Sequence, residues 1–143
     1  MNSIDIPELI KVRGIVTSGV GESKLFTEIP WVRRQFIDKL GINPCPGTFN
    51  ITVLPEDRER LNVIRNTKGV EIVPEDTNYC AANSFPALIN GRVRGAVLIP
   101  LVPGYPSAQL EIVSSEHIKQ SLSLKDGDLV EVEIHLQVAG QAG

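Results

Sequence analysis

Apolar residues recur at every second position in several short runs of this chain, the spacing of half-buried strands. The run Ile10-Lys11-Val12-Arg13-Gly14-Ile15-Val16-Thr17 predicts a first strand, and Phe49-Asn50-Ile51-Thr52-Val53 a second. Gly69 to Val73, Leu110 to Val113 and Leu129 to Ile134 predict three more. Phe85 to Ile89 and Arg92 to Ile99 flank Asn90-Gly91, the preferred two-residue turn of a hairpin. Leu25 to Ile29 reads as a short strand or bridge. Helical spacing is rarer. Pro30 opens a helix whose Val32, Phe36 and Leu40 lie four apart, with Gly41 in the terminating position. Ser114 or Ser115 is placed to cap a short helix through Glu116 and Lys119.

Between these runs the punctuation is turn-like. Pro55 to Lys68 is rich in charge and reads as a surface connection with room for a helical turn, not as a site. Pro74 to Asn78 is a loop, and Leu124 to Asp128 a turn. Pro100 to Pro106 is a rigid loop in which Tyr105 either lines a pocket or covers the core. Short strands, few helices and no βαβ rhythm predict a small closed barrel. Residues 1–9 are expected to be an N-terminal extension, 10–136 the barrel, and 137–143 a disordered tail.

Composition narrows the function classes. The 143 residues suit one domain, and 42% hydrophobic content suffices for a real core. A net charge of −3 argues against a nucleic-acid partner, which would call for a basic excess. No apolar run is long enough to span a bilayer, and the first residues lack the basic and apolar regions of a signal peptide. A cytoplasmic protein with no membrane partner is the expectation. Cys45 and Cys80 have no metal-ligand spacing and read as buried small apolar residues. His117 and His135 form neither a triad nor a metal pair.

The candidate chemistry starts in the second strand. Phe49, Ile51 and Val53 face a core, so Thr48, Asn50 and Thr52 face the other way, about 6–7 Å apart. Thr48 and Asn50 aim a hydroxyl and an amide oxygen at one point beyond the Pro46-Gly47 turn. Two neutral oxygens hold magnesium weakly, and water and substrate phosphates must complete its octahedron. The stretch is therefore either a metal–phosphate site that forms with its nucleotide or an ordinary strand with a solvated face. Ser18 to Lys24 contains two glycines whose backbone could cradle phosphates, with Lys24 adding a charge, or it is a plain hairpin loop. It lacks the lysine-serine/threonine ending of a Walker A loop. Glu111, between apolar neighbours, is either a ligand contact or a solvent-facing edge residue.

Several of these motifs occur together and in order. They are Gly19-Val20-Gly21-Glu22, Leu40-Gly41, Pro46-Gly47-Thr48-Phe49-Asn50, Gly95-Ala96-Val97, Leu110-Glu111-Ile112 and Leu122-Ser123-Leu124-Lys125-Asp126-Gly127-Asp128. With them, the chain from Val12 to Ile134 resembles the archaeal-type CTP-dependent riboflavin kinases. The resemblance implies a mainly β fold, a six-stranded cradle-loop barrel with one or two short helices. It also implies transfer of the γ-phosphoryl group of CTP to riboflavin, giving FMN and CDP. By the same resemblance, Val20, Gly21, Glu22, Ser23, Lys24 and Leu25 contact the nucleotide, as do Glu116, His117, Ile118 and Lys119. The resemblance likewise implies that Thr48 and Asn50 hold Mg2+. Glu111 contacts the flavin and is the candidate catalytic group.

Three positions depart from the family pattern. Ser23 replaces a second glycine. Pro103 stands at the flavin-binding threonine, where it offers neither hydroxyl nor N–H. Glu116 to Lys119 is more acidic than its usual counterpart. These departures keep a second expectation open, a divergent non-catalytic or altered-substrate nucleotide- or flavin-binding member. A DNA-binding relative is disfavoured by the acidic balance and by the lack of a helix-turn-helix segment.

Overall fold

A computed structural model describes residues 8–18 and 26–136 of the chain. Its strands are β1 (Leu9–Thr17), β2 (Phe49–Val53), β3 (Val70–Ile72), β4 (Ala82–Ile89), β5 (Val93–Pro100), β6 (Gln109–Val113) and β7 (Leu129–His135). They lie in the order β3-β4-β5-β6-β2-β1-β7, and β7 pairs again with β4. Six antiparallel strands therefore close into a barrel, as the alternating pattern predicts, while β3 sits outside on β4. One edge of β4 serves two partners. Ala82 to Ser84 pair with β3, and Ala87 to Ile89 pair with β7. Pro86, which has no N–H to donate, falls in the gap between those pairings, where a strand proline does least harm.

The alternation decides the core. Ile51, Phe85, Leu110, Ile112 and Ile134 point inward and are fully buried. The segment read as a charged surface connection is corrected here. It forms a short 3-10 turn (Pro55–Asp57) and α2 (Arg58–Arg65), and α2 drives Leu61 and Ile64 into the barrel core. Each such side chain contributes about 1.5–3 kcal/mol of burial. The charged residues sit on the other face of α2, so charge density hid the apolar stripe.

A second apolar layer lies outside the barrel wall. Helix α1 (Pro30–Leu40) lays Val32 and Phe36 against Ile72, Ala96 and Leu98. It ends as its sequence predicts. Gly41 adopts φ 68°, its N–H bonds the Ile37 carbonyl, and the N–H of Ile42 returns to the Phe36 carbonyl. Gly95 in β5 is required by close approach, since a Cβ there would stand 2.8 Å from the Val113 carbonyl oxygen.

Other expectations also change. Residues 26–28 are helical, not a strand or bridge. Besides residues 26–28, the described residues hold three α-helices, the third being α3 (Ile118–Ser121). Helix α3 starts later than the serines suggest. His117 is its N-cap without a side-chain bond, and the Ser114 hydroxyl instead accepts the N–H of Glu116 at 3.1 Å. The Asn90-Gly91 turn has both residues at positive φ, but Arg92 is an additional residue before pairing resumes at Ile89–Val93. Cys45 is half-buried and Cys80 exposed, so neither is a core residue. The expected N-terminal extension, apart from Glu8 and Leu9, and the expected tail lie outside the described residues. No described helix is long and apolar enough to cross a membrane.

Candidate functional site

The site is built on the outer faces of β1, β2 and β6. In an antiparallel sheet directly paired residues share a face. Asn50 pairs with Thr17 on one side and with Glu111 on the other, so these three side chains form a polar row across the wall. Thr48 precedes β2 at the end of the Pro46-Gly47 turn. That turn is fixed by one backbone conformation and one contact. Gly47 takes φ 90°, and its N–H donates to the buried Thr27 hydroxyl at 2.8 Å. Phe26, Trp31 and Tyr79 pack together beside Thr27, with ring centroids 5.7–6.4 Å apart.

The hydrogen bonds run in one direction. Asn50 Nδ2 donates to the Thr48 carbonyl at 2.9 Å and to Thr48 Oγ1 at 3.3 Å. The Thr48 hydroxyl donates to Glu111 Oε1 at 3.0 Å, and the Tyr105 phenol donates to Glu111 Oε2 at 2.5 Å. Burial first, and then the neighbouring Glu111 carboxylate, push the Tyr105 phenol well above its ordinary value. That shift favours the protonated phenol, the form that donates to Glu111.

A cavity of about 170 Å³ opens beside this row. Its walls include Thr17, Gly47, Thr48, Asn50 and the segment Glu116 to Lys119. The structure thus brings two sets of sequence-identified residues together, the Thr48–Asn50 pair and Glu116, His117, Ile118 and Lys119. The volume suits a phosphate group and is below the usual range for a whole small-molecule ligand. Lys119 ion-pairs with Asp126 at 2.8 Å, and the Ser18 hydroxyl donates to the same carboxylate. These two contacts, the lysine first, hold Asp126 below the usual carboxylate range. The link fastens the end of β1 to α3. Val20 to Leu25 lie outside the described residues. A larger cleft of about 700 Å³ lies beyond Ser114 and Ser115, against Arg94 and Pro86.

Glu111 adjoins the small cavity through Thr48 without lining it. Pro103 is exposed on the loop between β5 and β6 and reaches neither cavity. The loop's contribution to the row is Tyr105, whose role the sequence left open. Thr17 and Thr27 carried no sequence signal; each looked like an ordinary strand threonine.

The donor set suits a hard cation in kind. Thr48 Oγ1 and the Asn50 amide oxygen are neutral oxygens, and Glu111 adds a carboxylate 3.0 Å from Thr48 Oγ1. No group of three or more His, Cys, Asp or Glu side chains gathers among the described residues, so any cation here would rely on water and phosphate. The Asn50 amide now presents Nδ2 to Thr48 and must turn over to present Oδ1 beside it.

Comparison with known proteins bears on this geometry. The profile of the CTP-dep_RFKase family, described as a domain of unknown function (DUF120), matches residues 16–134. The chain belongs to that family. The match runs from the end of β1 through β7, so Thr17, Thr48, Asn50, Glu111 and the cavity walls all fall inside the CTP-dep_RFKase region. A riboflavin kinase of Archaeoglobus fulgidus is 39% identical over 130 residues, covering 89% of this chain and 55% of that protein. One from Sulfurisphaera tokodaii is 34% identical over 134 residues, covering 90% of this chain and 98% of that protein. One from Saccharolobus solfataricus is 33% identical over 131 residues. The chain thus spans about half of the first relative and nearly all of the second.

Proposed function

We propose that this chain is a riboflavin kinase that transfers the γ-phosphoryl group of CTP to riboflavin, giving FMN and CDP. It would act in the cytoplasm on these two small molecules, with neither nucleic acid nor membrane as partner. The observation that carries the reading is the convergence of Thr48, Asn50 and Glu111 on one outer face, beside a phosphate-sized cavity walled by Glu116 to Lys119. Membership of the family and the named relatives support the same reaction.

Phosphoryl transfer asks little covalent chemistry of a protein; alignment and charge neutralisation dominate. Thr48 Oγ1 and Asn50 Oδ1 would hold Mg2+, which when bound neutralises charge on the phosphate oxygens. The Glu111 carboxylate, which accepts from Thr48 and Tyr105, would orient riboflavin's terminal hydroxyl and take its proton. As the new O–P bond forms, the bond from the γ-phosphorus to the bridging oxygen breaks and CDP leaves. The segment Val20 to Leu25 and the cavity wall from Glu116 to Lys119 would contact the nucleotide.

One observation favours a second reading. Tyr105 already engages Glu111 Oε2, and its loop presents Pro103 where a flavin-binding hydroxyl is expected. A member that binds nucleotide without making FMN fits that arrangement. Incubation of the purified chain with riboflavin, Mg2+, and CTP or ATP in parallel separates the two. FMN appearing with CTP supports the kinase, FMN with ATP alone overturns the donor, and nucleotide binding without FMN supports the second reading.

A further inference from the structure

Thr17 is the last residue of β1. Its Oγ1 is buried, and among the described residues it is the side-chain polar atom that is buried with no hydrogen-bond partner. Buried hydroxyls are nearly always bonded, because water has been stripped from them with nothing in return. Thr17 lines the same cavity as Thr48 and Asn50 and pairs directly with Asn50 across the β1–β2 ladder. Direct pairing sets the two Cβ atoms about 4.5–5.5 Å apart. An oxygen-bearing group seated between Thr48, Asn50 and the α3 segment would therefore also lie against Thr17.

We infer that the Thr17 hydroxyl is a nucleotide-binding contact, donating a hydrogen bond to a phosphate oxygen of the nucleoside di- or triphosphate held in this cavity. The inference rests on the nucleotide reading above and adds to it a residue that the Gly-rich loop and Glu116 to Lys119 do not include. A hydroxyl is suited to that role, since its O–H can swing to meet the anion while its methyl stays packed on the wall. Its lack of a protein partner is then the mark of a donor kept for a ligand.

The test compares the native chain with Thr17→Val, which keeps the β-branched shape, and Thr17→Ser, which keeps the hydroxyl. CDP binding with Mg2+ is measured by calorimetry, riboflavin binding by flavin fluorescence, and folding by thermal melting. Thr17→Val is expected to bind CDP about tenfold more weakly, the worth of one hydrogen bond to a charged group. Its melting temperature should be equal or higher, because a stranded polar atom is gone, and its riboflavin affinity unchanged. Thr17→Ser should keep most of the CDP affinity. Native-like CDP binding by Thr17→Val overturns the inference alone, and so does an equal loss in Thr17→Ser. If the native chain binds neither CDP nor CTP, the nucleotide reading falls and takes this inference with it.

Discussion

Asp57 and Glu111 are two carboxylates on the same barrel whose neighbours differ in kind. Asp57 has only 4% of its side chain exposed and is gripped by Arg13. The Arg13 backbone N–H lies 2.8 Å from Oδ2, its Nε 3.1 Å from Oδ2, and its Nη2 3.4 Å from Oδ1. These contacts hold the Asp57 carboxyl below its usual range. Glu111 is half-buried and accepts from two hydroxyls, those of Thr48 and Tyr105. A guanidinium and a main-chain N–H are fixed, permanently donating partners. A hydroxyl rotates, and a substrate hydroxyl can take its place at little cost. The arginine contacts lock β1 to the 3-10 turn, whereas the two hydroxyl contacts on Glu111 are of a kind that a substrate hydroxyl can replace.

The sharpest way to break the contrast is Glu111→Gln. The amide is nearly the same size and can still accept from Thr48, so the fold should persist with little change in melting temperature. It cannot take a proton. FMN formation, followed by chromatography under saturating riboflavin and CTP, should fall about 100-fold or more. An unchanged turnover would remove Glu111 from the chemistry and make the two carboxylates alike.

Asp57→Ala should show the opposite pattern. It strands the Arg13 N–H and guanidinium and should lower unfolding stability by about 2 kcal/mol in urea titrations. Riboflavin and CTP affinities of the folded variant should stay native-like. The effect should also depend on pH. A carboxyl lowered in the folded state contributes in full above its unfolded value, 3.8, and loses that contribution as pH falls through the folded value. The stability gap between native chain and variant should therefore be wide at pH 7 and narrow once the pH drops below about 4. A gap that widened in acid would contradict the ion-pair account.

The sequence shows one side of this comparison better than the other. Alternation in Phe49 to Val53 and in Leu129 to Ile134 exposed the barrel, and it placed Asn50 opposite the core because period two leaves no other choice. The meeting of Asn50 with Glu111 was not legible, since their register across β2 and β6 depends on barrel closure. Asp57 was hidden for a different reason. It stands among Glu56, Arg58, Glu59 and Arg60, where composition predicts a solvated surface. Only the burial of Leu61 and Ile64 pulls that segment against β1 and buries its carboxylate. Tyr105 comes from a loop rich in proline and glycine, where no periodicity says which side chain turns inward.

The smallest expected effect separates the two hydroxyls on Glu111. Thr48 is held on its far side by Asn50, whereas Tyr105 reaches Glu111 from the loop between β5 and β6. In the kinase reading, the phenol competes with riboflavin's terminal hydroxyl for Oε2. Tyr105→Phe keeps the ring packed and frees that oxygen, so KM for riboflavin should fall about threefold, equivalent to roughly 0.6 kcal/mol, with kcat little changed. Because the phenol is pushed well above its ordinary value, it stays protonated, and the same KM ratio should hold from about pH 6 to 9. A rise in KM would mean that Tyr105 supports the flavin directly. Glu111 would then resemble Asp57 after all, a carboxylate whose partners are part of the built site.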